Sequence, residues 1–252
     1  MVGKVCAAIN IVTIDEAVDD GRIALSEGAQ VLEYRLDKNL LYKDMEKYLR
    51  ALDRLYPDIK NPRKFEIIST NMTKAESGDF EGSPKEWATV LRKTIAFHTD
   101  YVTVGTNMAK TEEGKGLCRY AAENNSRIIL SHHDQSGMPD PAALIEILEG
   151  ERYIAKQLDV PFIAKVACMA TKPEEVLYMM EATLHEMTDI NGNKVPKIMI
   201  AMGSSGSDWR PISLREPWNC HLNYFAINQQ KRTAKGQLTV KQGVAVLRAL
   251  EG

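Results

Sequence analysis

The sequence predicts an α/β protein, a (β/α)₈ TIM barrel formed by a single domain over residues 1–252. The length of 252 residues is typical of one such barrel. Short apolar runs with strand character alternate with helical segments, which indicates parallel β/α units. About eight such units fit into the chain, and this number favours a closed barrel over an open doubly wound sheet.

The predicted strands are short apolar runs bounded by polar or turn-forming residues. They cover residues 4–11, 31–37, 64–70, 101–106, 127–133, 162–169, 197–202 and 223–227. Helices are predicted at residues 13–27, 43–56, 83–98, 111–125, 141–157, from residue 172 onward, and at 238–250. Thr13 has the position of an N-cap, and Ser83 followed by Pro84 and Glu86 has the pattern of a helix start. Most of the segment between the last two strands has no clear helix or strand pattern.

The composition is that of an ordinary globular protein, with 44% hydrophobic and 26% charged residues. The formal net charge is −2 and the basic residues are scattered, so the sequence does not support a nucleic-acid or membrane partner. Without a secretory pattern or a membrane-spanning apolar run, we expect a cytoplasmic protein. The four cysteines are far apart, so we expect buried or idle thiols rather than a metal site or disulfides. They are Cys6, Cys118, Cys168 and Cys220.

Lys165 is the most unusual residue of the sequence, because it lies in the middle of the apolar strand at 162–169. Lysine is almost never fully buried without a partner. Burial lowers the pKa of an amine, and a neutral amine attacks ketones and aldehydes. The position therefore indicates a lysine kept for chemistry with a carbonyl group. The alternative is a lysine whose side chain reaches past the end of the strand.

Other polar residues lie near the carboxyl ends of predicted strands, where barrel enzymes place their catalytic groups. Glu33 and Arg35 share one face of the second strand, either as substrate contacts or as an interior ion pair. His133 ends the fifth strand, next to the strand of Lys165, where it suits a general acid or base or a structural role. Arg210 follows the seventh strand and has the fork that a carboxylate clamp needs, although a surface arginine is the simpler interpretation.

Five short segments along the predicted strands carry a resemblance to a known family. They are Glu33-Tyr34-Arg35-Leu36-Asp37, Ser131-His132-His133-Asp134, Ala164-Lys165-Val166-Ala167-Cys168-Met169, Met202-Gly203 with Arg210, and Gly236-Gln237. In this order and spacing, the chain resembles the type I 3-dehydroquinate dehydratases of the shikimate pathway. The resemblance runs from the first strand to the terminal helix.

The resemblance implies a hydro-lyase of aromatic amino acid biosynthesis that is usually a homodimer and needs no metal or organic cofactor. Its small-molecule substrate is a cyclic hydroxy-ketone carboxylate, 3-dehydroquinate, which is dehydrated to 3-dehydroshikimate. By this resemblance Lys165 forms a Schiff base with the substrate and His133 is the general acid and base. Glu76 orients His133, although a solvent-facing acid is the ordinary interpretation of a glutamate in a loop.

The resemblance also implies a set of substrate contacts. Glu33 and Arg35 contact the ring hydroxyls or the histidine, and Met202 packs on the ring. Arg210 and Gln237 hold the substrate carboxylate. Thr233 begins the segment at 233–237 that corresponds to the Ser-Ala-Pro-Gly-Gln lid of the family and keeps a hydroxyl group there.

The sequence departs from the family pattern around the expected pocket. Met72 stands where an active-site arginine belongs, so the ligand has a different hydroxyl pattern or Arg215 or Arg232 replaces the missing group. Trp209 stands where a serine is expected before Arg210 and is expected to crowd the clamp. The segment at 211–232 is longer than usual and lacks the Phe-Gly-Ser pattern of the family.

Three other functions stay open at this point. The first is a divergent dehydratase that acts on a related hydroxy-ketone acid. The second is a class I aldolase-like lyase, because a lysine on the sixth strand serves retro-aldol cleavage equally well. A phosphate site after the last two strands would favour that lyase. The third is a non-catalytic paralogue that binds a shikimate-type metabolite, which Met72 and Trp209 favour and Lys165 and His133 oppose.

Overall fold

The computed structural model describes residues 3–38 and 64–250. The strands are β1 Lys4–Asn10, β2 Val31–Arg35, β3 Glu66–Thr70, β4 Tyr101–Gly105, β5 Arg127–Asp134, β6 Phe162–Met169, β7 Lys197–Met202 and β8 Leu222–Ala226. The helices are α1 Ile14–Ser26, α2 Pro84–Ala96, α3 Glu112–Glu123, α4 Pro141–Leu158, α5 Glu174–Thr183, α6 Trp209–Ile212 and α7 Val240–Ala249. The helix predicted at 43–56 lies outside the described residues.

The eight strands form one parallel sheet in the order β7-β6-β5-β4-β3-β2-β1-β8. The two ends of this order meet, because the backbone N–H of His221 donates to the Lys197 carbonyl at 2.8 Å. One side chain also bonds across this junction, the β7–β8 seam: Asn223 Nδ2 of β8 donates to the Met199 carbonyl of β7 at 3.3 Å. Trp209 Nε1, from the helix between the two strands, donates to the same carbonyl at 3.0 Å. The predicted (β/α)₈ barrel is therefore confirmed as a nearly closed barrel.

Alternating side chains of each strand belong to two separate layers of core. On β6, Ile163 and Ala167 belong to a cluster inside the barrel, whereas Val166 belongs to the layer between the sheet and the helices. Side chains two residues apart on a strand point the same way. Lys165 consequently faces the barrel interior, as its place in the apolar run predicts.

The helix starts follow the capping residues that the sequence contains. Thr13 Oγ1 accepts a hydrogen bond from the Glu16 backbone at the start of α1, and Ser83 and Glu86 form a reciprocal capping box on α2. Both predicted starts are confirmed. The second strand is shorter than predicted, because β2 ends at Arg35 and Leu36–Lys38 form a 3₁₀ turn. The segment without a clear pattern contains a 3₁₀ turn at Ser204–Gly206 and helix α6.

A polar network closes the end of the barrel where the strands begin. The Glu66 carboxylate pairs with Lys4 at 2.6 Å and Arg127 at 3.2 Å, and accepts the Tyr101 hydroxyl at 2.9 Å. His221 Nε2 lies 3.0 Å from that hydroxyl, and burial, followed by the charges of Arg127 and Lys4, lowers the pKa of His221 to about 4. Groups at this end of a barrel serve stability rather than catalysis.

We expect Glu66→Gln to lower the free energy of unfolding by about 1 kcal/mol, a small value because the side chain is 26% exposed. Turnover should not change, because the network lies at the opposite end of the barrel from the cavity described below. Denaturant unfolding and steady-state kinetics on the same preparation measure both effects. Glu81→Gln is the matched control, since its pair with Lys74 is more exposed. Equal effects of the two substitutions would contradict the prediction.

Candidate active site

A cavity of about 460 Å³ opens at the carboxyl ends of the strands. The structure brings every predicted site residue to its wall. These residues are Glu33, Arg35, Glu76, His133, Lys165, Met202, Arg210, Thr233 and Gln237. They come from four strands and from the segments after β3, β7 and β8, so the parallel topology is what brings them together.

Lys165 is buried in the cavity wall, with 4% of its surface exposed. Its Nζ lies 3.7 Å from Glu33 Oε1 and 4.2 Å from the ring centre of Tyr224. Burial lowers the pKa of Lys165; the Glu33 carboxylate opposes this shift, while the positive charge of Arg35 adds to it. A lysine with a lowered pKa has more of the neutral, nucleophilic amine at neutral pH.

Glu33 is the counter-ion of Lys165, and a chain of hydroxyl groups fixes its carboxylate. Thr70 Oγ1 donates to Glu33 Oε1 at 2.9 Å and lies 2.8 Å from Thr103 Oγ1. Glu33 is 3% exposed, so its charge acts on Lys165 with little screening by water. The interior ion pair between Glu33 and Arg35, one of the two interpretations above, is therefore wrong.

Arg35 pairs with Asp37 instead. Its Nε and Nη2 donate to the two oxygens of Asp37 at 2.9 and 2.7 Å, and the Asp79 backbone N–H also donates to Asp37 at 3.2 Å. Burial alone would lower the pKa of Arg35, but the hydrogen bonds and charge of Asp37 outweigh it and raise the pKa. Arg35 is thus a fixed positive charge at the cavity wall.

His133 lies one strand from Lys165 and faces the same cavity. The ladder pairs Ser131 with Lys165 and His133 with Ala167, and His133 Nδ1 lies 3.2 Å from Ser131 Oγ. Burial, followed by the positive charges of Lys165 and Arg35, lowers the pKa of His133 well below its usual value. The imidazole is therefore neutral at physiological pH, the form that a general base requires.

Glu76 is buried, so the solvent-facing interpretation of this loop acid is wrong. Its Oε1 accepts the backbone N–H groups of Asn107 and Met108 at 2.9 and 3.0 Å, and its Oε2 accepts Thr73 Oγ1 at 3.1 Å. A side chain at Gly105 would meet the carboxylate at 2.1 Å, so glycine makes room for it. Among the hydrogen bonds of the described residues, none joins Glu76 to His133, and the orienting role stays a prediction.

Arg210 is fully buried rather than on the surface, which overturns the simpler interpretation of this residue. Its Nη1 donates to the Tyr224 carbonyl at 3.2 Å, whereas Nε and Nη2 are buried and have no partner among the described residues. Burial lowers the pKa of Arg210 to about 10. Unpaired buried donors are costly. Two such donors beside a cavity have the geometry that suits the two oxygens of a carboxylate.

The segment at 233–237, the lid segment, folds over the cavity next to Arg210. Gln237 Oε1 accepts the backbone N–H and the hydroxyl of Thr233 at 2.9 and 3.1 Å. Gly236 has a φ of 72°, and a side chain there would meet the Gly203 carbonyl at 2.0 Å. Only glycine permits this close approach between the lid segment and the loop after β7.

Met72 and Trp209, two departures from the family pattern, lie in different places relative to the cavity. Met72 is buried and lines the cavity, so an apolar thioether faces the site where an arginine was expected. Neither Arg215 nor Arg232, the two candidate replacements, is among the residues that line it. The expected crowding by Trp209 is wrong. Its indole packs at the β7–β8 seam, away from the cavity, because Nε1 donates to the Met199 carbonyl.

Two residues at the site were not predicted from the sequence. Tyr224, at an inward position of β8, lines the cavity beside Lys165. Glu151 lies on the apolar face of α4, where its Oε2 accepts the Lys165 backbone N–H at 3.2 Å from outside the barrel. Burial raises the pKa of Glu151 well above its usual value. A charged residue at helical spacing among Leu144, Leu148 and Ala155 was the available signal for Glu151.

The described residues contain neither a metal-binding cluster nor a membrane-spanning helix. Across residues 3–38 and 64–250, no group of three His, Cys, Asp or Glu side chains is arranged to hold a metal ion. None of the described helices is long and apolar enough to cross a membrane. The four cysteines are all buried and free, as their spacing predicts.

Comparison with known proteins gives the same family over nearly the whole chain. A sequence profile described as type I 3-dehydroquinase matches residues 5–252. The 3-dehydroquinate dehydratase of Methanosarcina acetivorans is 25% identical over 246 residues, which cover 97% of this chain and 95% of that protein.

Solved structures agree on the fold. The 3-dehydroquinate dehydratase of Geobacillus kaustophilus HTA426 has a TM-score of 0.82 at 22% identity, over 99% of this chain and 91% of that one. The type I 3-dehydroquinate dehydratase of Clostridium difficile, solved with covalent modified comenic acid, has a TM-score of 0.81 at 20% identity. The alignment of the two structures covers 99% of this chain and 92% of the Clostridium difficile chain.

Proposed function

Because the chain belongs to the type I 3-dehydroquinase family, we propose that it dehydrates 3-dehydroquinate to 3-dehydroshikimate through a Schiff base on Lys165. The observation that carries this proposal is the buried amine of Lys165, with its lowered pKa, in one cavity with a neutral His133. Arg210 adds buried donors that suit the substrate carboxylate. The names of the similar proteins support the same reaction, a hydro-lyase step of the shikimate pathway.

The reaction begins at the amine of Lys165. The neutral amine adds to the C3 ketone of the substrate. One amine proton and one proton from solvent convert the ketone oxygen into water, which leaves. The resulting iminium carries one positive charge, which Glu33 stabilises from 3.7 Å. That charge draws electrons from the neighbouring carbon and makes the C2–H bond acidic. Formation of the iminium thus lowers the barrier to removal of a proton at C2.

His133 then moves a single proton from carbon to oxygen. Its neutral imidazole removes the C2 proton and leaves a neutral enamine, which expels the C1 hydroxyl group. The imidazolium returns the proton to that oxygen, so the group leaves as water. Hydrolysis of the conjugated imine releases the product and restores the amine of Lys165. One histidine suffices because the proton that it takes is the proton that it returns.

Arg210 and the lid segment fix the orientation of the substrate. A carboxylate bound to Nε and Nη2 of Arg210, beside Thr233 and Gln237, places the ring across the cavity. Correct orientation of C3 toward Lys165 and of C2–H toward His133 contributes a large part of the rate. Met202 and Met72 supply apolar surface for the ring. A cytoplasmic location and a homodimer are part of the proposal and are supported by the resemblance to the family.

The decisive experiment is to trap the intermediate. The protein is incubated with 3-dehydroquinate and borohydride, and the reduced adduct is located by mass spectrometry. We expect an adduct on Lys165 and, without borohydride, a rise in ultraviolet absorbance from the conjugated enone. Absence of both signals would overturn the proposal. An adduct without the absorbance rise would indicate carbonyl binding without dehydration, as a metabolite-binding paralogue would give.

We expect Arg210→Lys to raise KM for 3-dehydroquinate by about 10- to 100-fold, because lysine lacks the two-nitrogen fork and a charged hydrogen bond is lost. The rate of borohydride trapping at saturating substrate should change much less. Arg215→Lys is the matched control, since Arg215 lies after α6 and does not line the cavity. An unchanged KM in Arg210→Lys would show that the carboxylate binds elsewhere.

A further inference from the structure

The ring of Tyr224 packs directly on the reactive nitrogen of Lys165. Tyr224 lies at an inward position of β8, pairs with Cys6 of β1 and is 4% exposed. Lys165 Nζ lies over the ring face, 4.2 Å from its centre. This distance is well inside the range of about 6 Å in which the negative face of an aromatic ring attracts a cation.

Among the other groups around this nitrogen, Glu33 supports a positive charge and two arginines oppose it. Glu33 Oε1 lies at 3.7 Å, which is close enough for an ion pair but too long for a hydrogen bond. Arg35 and Arg210 are positive and oppose a charge on Lys165. Water contributes little, because the side chain is buried. The face of Tyr224 is therefore a substantial part of what stabilises a cation at this position.

We propose that Tyr224 is a further catalytic residue, whose ring face stabilises the positive charge of the Lys165 iminium. The proposal rests on the proposed function, because that reaction places a permanent cation on this nitrogen. When the amine adds to the ketone, the nitrogen lone pair forms the C–N bond. The carbonyl oxygen takes one proton from the amine and one from solvent and leaves as water. The nitrogen keeps one proton and the positive charge until His133 removes the C2 proton.

The interaction favours the iminium over the state that precedes it. A neutral amine and a neutral ketone gain little from the quadrupole of the ring, whereas the iminium gains the full attraction in a site without water. Stabilisation that appears only along the reaction path accelerates the reaction. The contact between Tyr224 and Lys165 runs through the ring face, 4.2 Å from Nζ, so the ring face is the part of the side chain that acts.

The test varies the charge of the ring face while keeping its shape. Tyr224→Phe keeps the ring and is the reference for the series, so that kcat of each fluorinated protein is compared with kcat of this variant. Replacement of that phenylalanine by difluoro- and trifluorophenylalanine withdraws electron density from the face at nearly constant volume. We expect kcat to fall stepwise along this series, by about 5- to 30-fold in total. A purely structural role of the ring would leave kcat constant, and a constant kcat would overturn the proposal.

Tyr101 provides a matched control, because Arg127 lies over its ring at the same distance of 4.2 Å, at the far end of the barrel. The same series at Tyr101 should leave kcat unchanged. Equal losses at both positions would mean that a general loss of stability causes the effect, which would also overturn the proposal. Borohydride trapping on the wild-type protein separates the two proposals. An adduct with a flat Tyr224 series overturns the role of Tyr224 alone, whereas a missing adduct overturns both.

Discussion

Lys165→Ala should abolish turnover of 3-dehydroquinate and the borohydride adduct together, with a loss of kcat on the order of 10⁴-fold or more. The charged neighbours of Lys165 cannot replace the amine, because Arg35 and Arg210 are guanidinium groups and Glu33 is a carboxylate. Mass spectrometry and the absorbance of the enone measure the two losses independently. The cavity itself should survive, since the substitution enlarges the cavity wall at one side chain and leaves the backbone pairing of β6 in place.

Lys197 is the internal control for this experiment. It is also buried, and burial lowers the pKa of Lys197 as well. Its Nζ, however, donates to the carbonyl groups of Thr183 and His185, outside the cavity. An adduct found on Lys197 in the wild-type protein, or an adduct that persists in Lys165→Ala, would contradict the assignment of the nucleophile.

His133→Ala should permit the adduct but lower turnover by about 10²- to 10⁴-fold, the usual contribution of an acid–base group. The iminium forms on Lys165, whereas removal of the C2 proton needs the imidazole. In the wild-type protein the base form of His133 should persist at pH values well below 6.5, since its pKa is lowered. Loss of activity through protonation of His133 is thus expected only in acid. Rapid quench with borohydride measures adduct formation and turnover in the same sample.

His132 is the natural control for His133. The two residues are adjacent on β5, but their side chains point to opposite sides of the strand, and only His133 lines the cavity. His132→Ala should therefore retain turnover within a few-fold of wild type. Equal losses in the two variants, or full turnover in His133→Ala, would be incompatible with the proposed role of His133.

The fold is predictable because its signals are local. Each strand is a short apolar run, and helix starts such as Thr13 and Ser83 carry their own caps. In a parallel barrel the carboxyl ends of all strands lie on one rim, so polar residues at those ends must approach one another. For that reason the strand-end residues of the candidate site could be named from the sequence, whereas Glu76, Met202, Thr233 and Gln237 were named from the resemblance to the family. Their roles in the reaction stay predictions.

The partners of these residues were harder to predict, because they depend on packing between distant segments. The spacing of Glu33 and Arg35 suggests that they pair with each other. In the structure, however, Glu33 pairs with Lys165 and Arg35 pairs with Asp37. No local pattern decides between these arrangements. The same holds for Trp209, which stands next to Arg210 in sequence but turns its indole to the outside of β7.

Because of the β7–β8 seam, the wall of this barrel is not equally stable around its circumference. At the seam, side chains supply part of the hydrogen bonding that backbone groups supply elsewhere. Local opening should therefore cost less free energy at the seam than within the continuous ladder of β5 and β6. Arg210 follows one edge of the seam and Gln237 follows the other. In the proposed function, a carboxylate held by both residues would bridge the two edges. Bound substrate would then hold β7 and β8 together. The free energy of its binding would also stabilise the part of the wall that opens first.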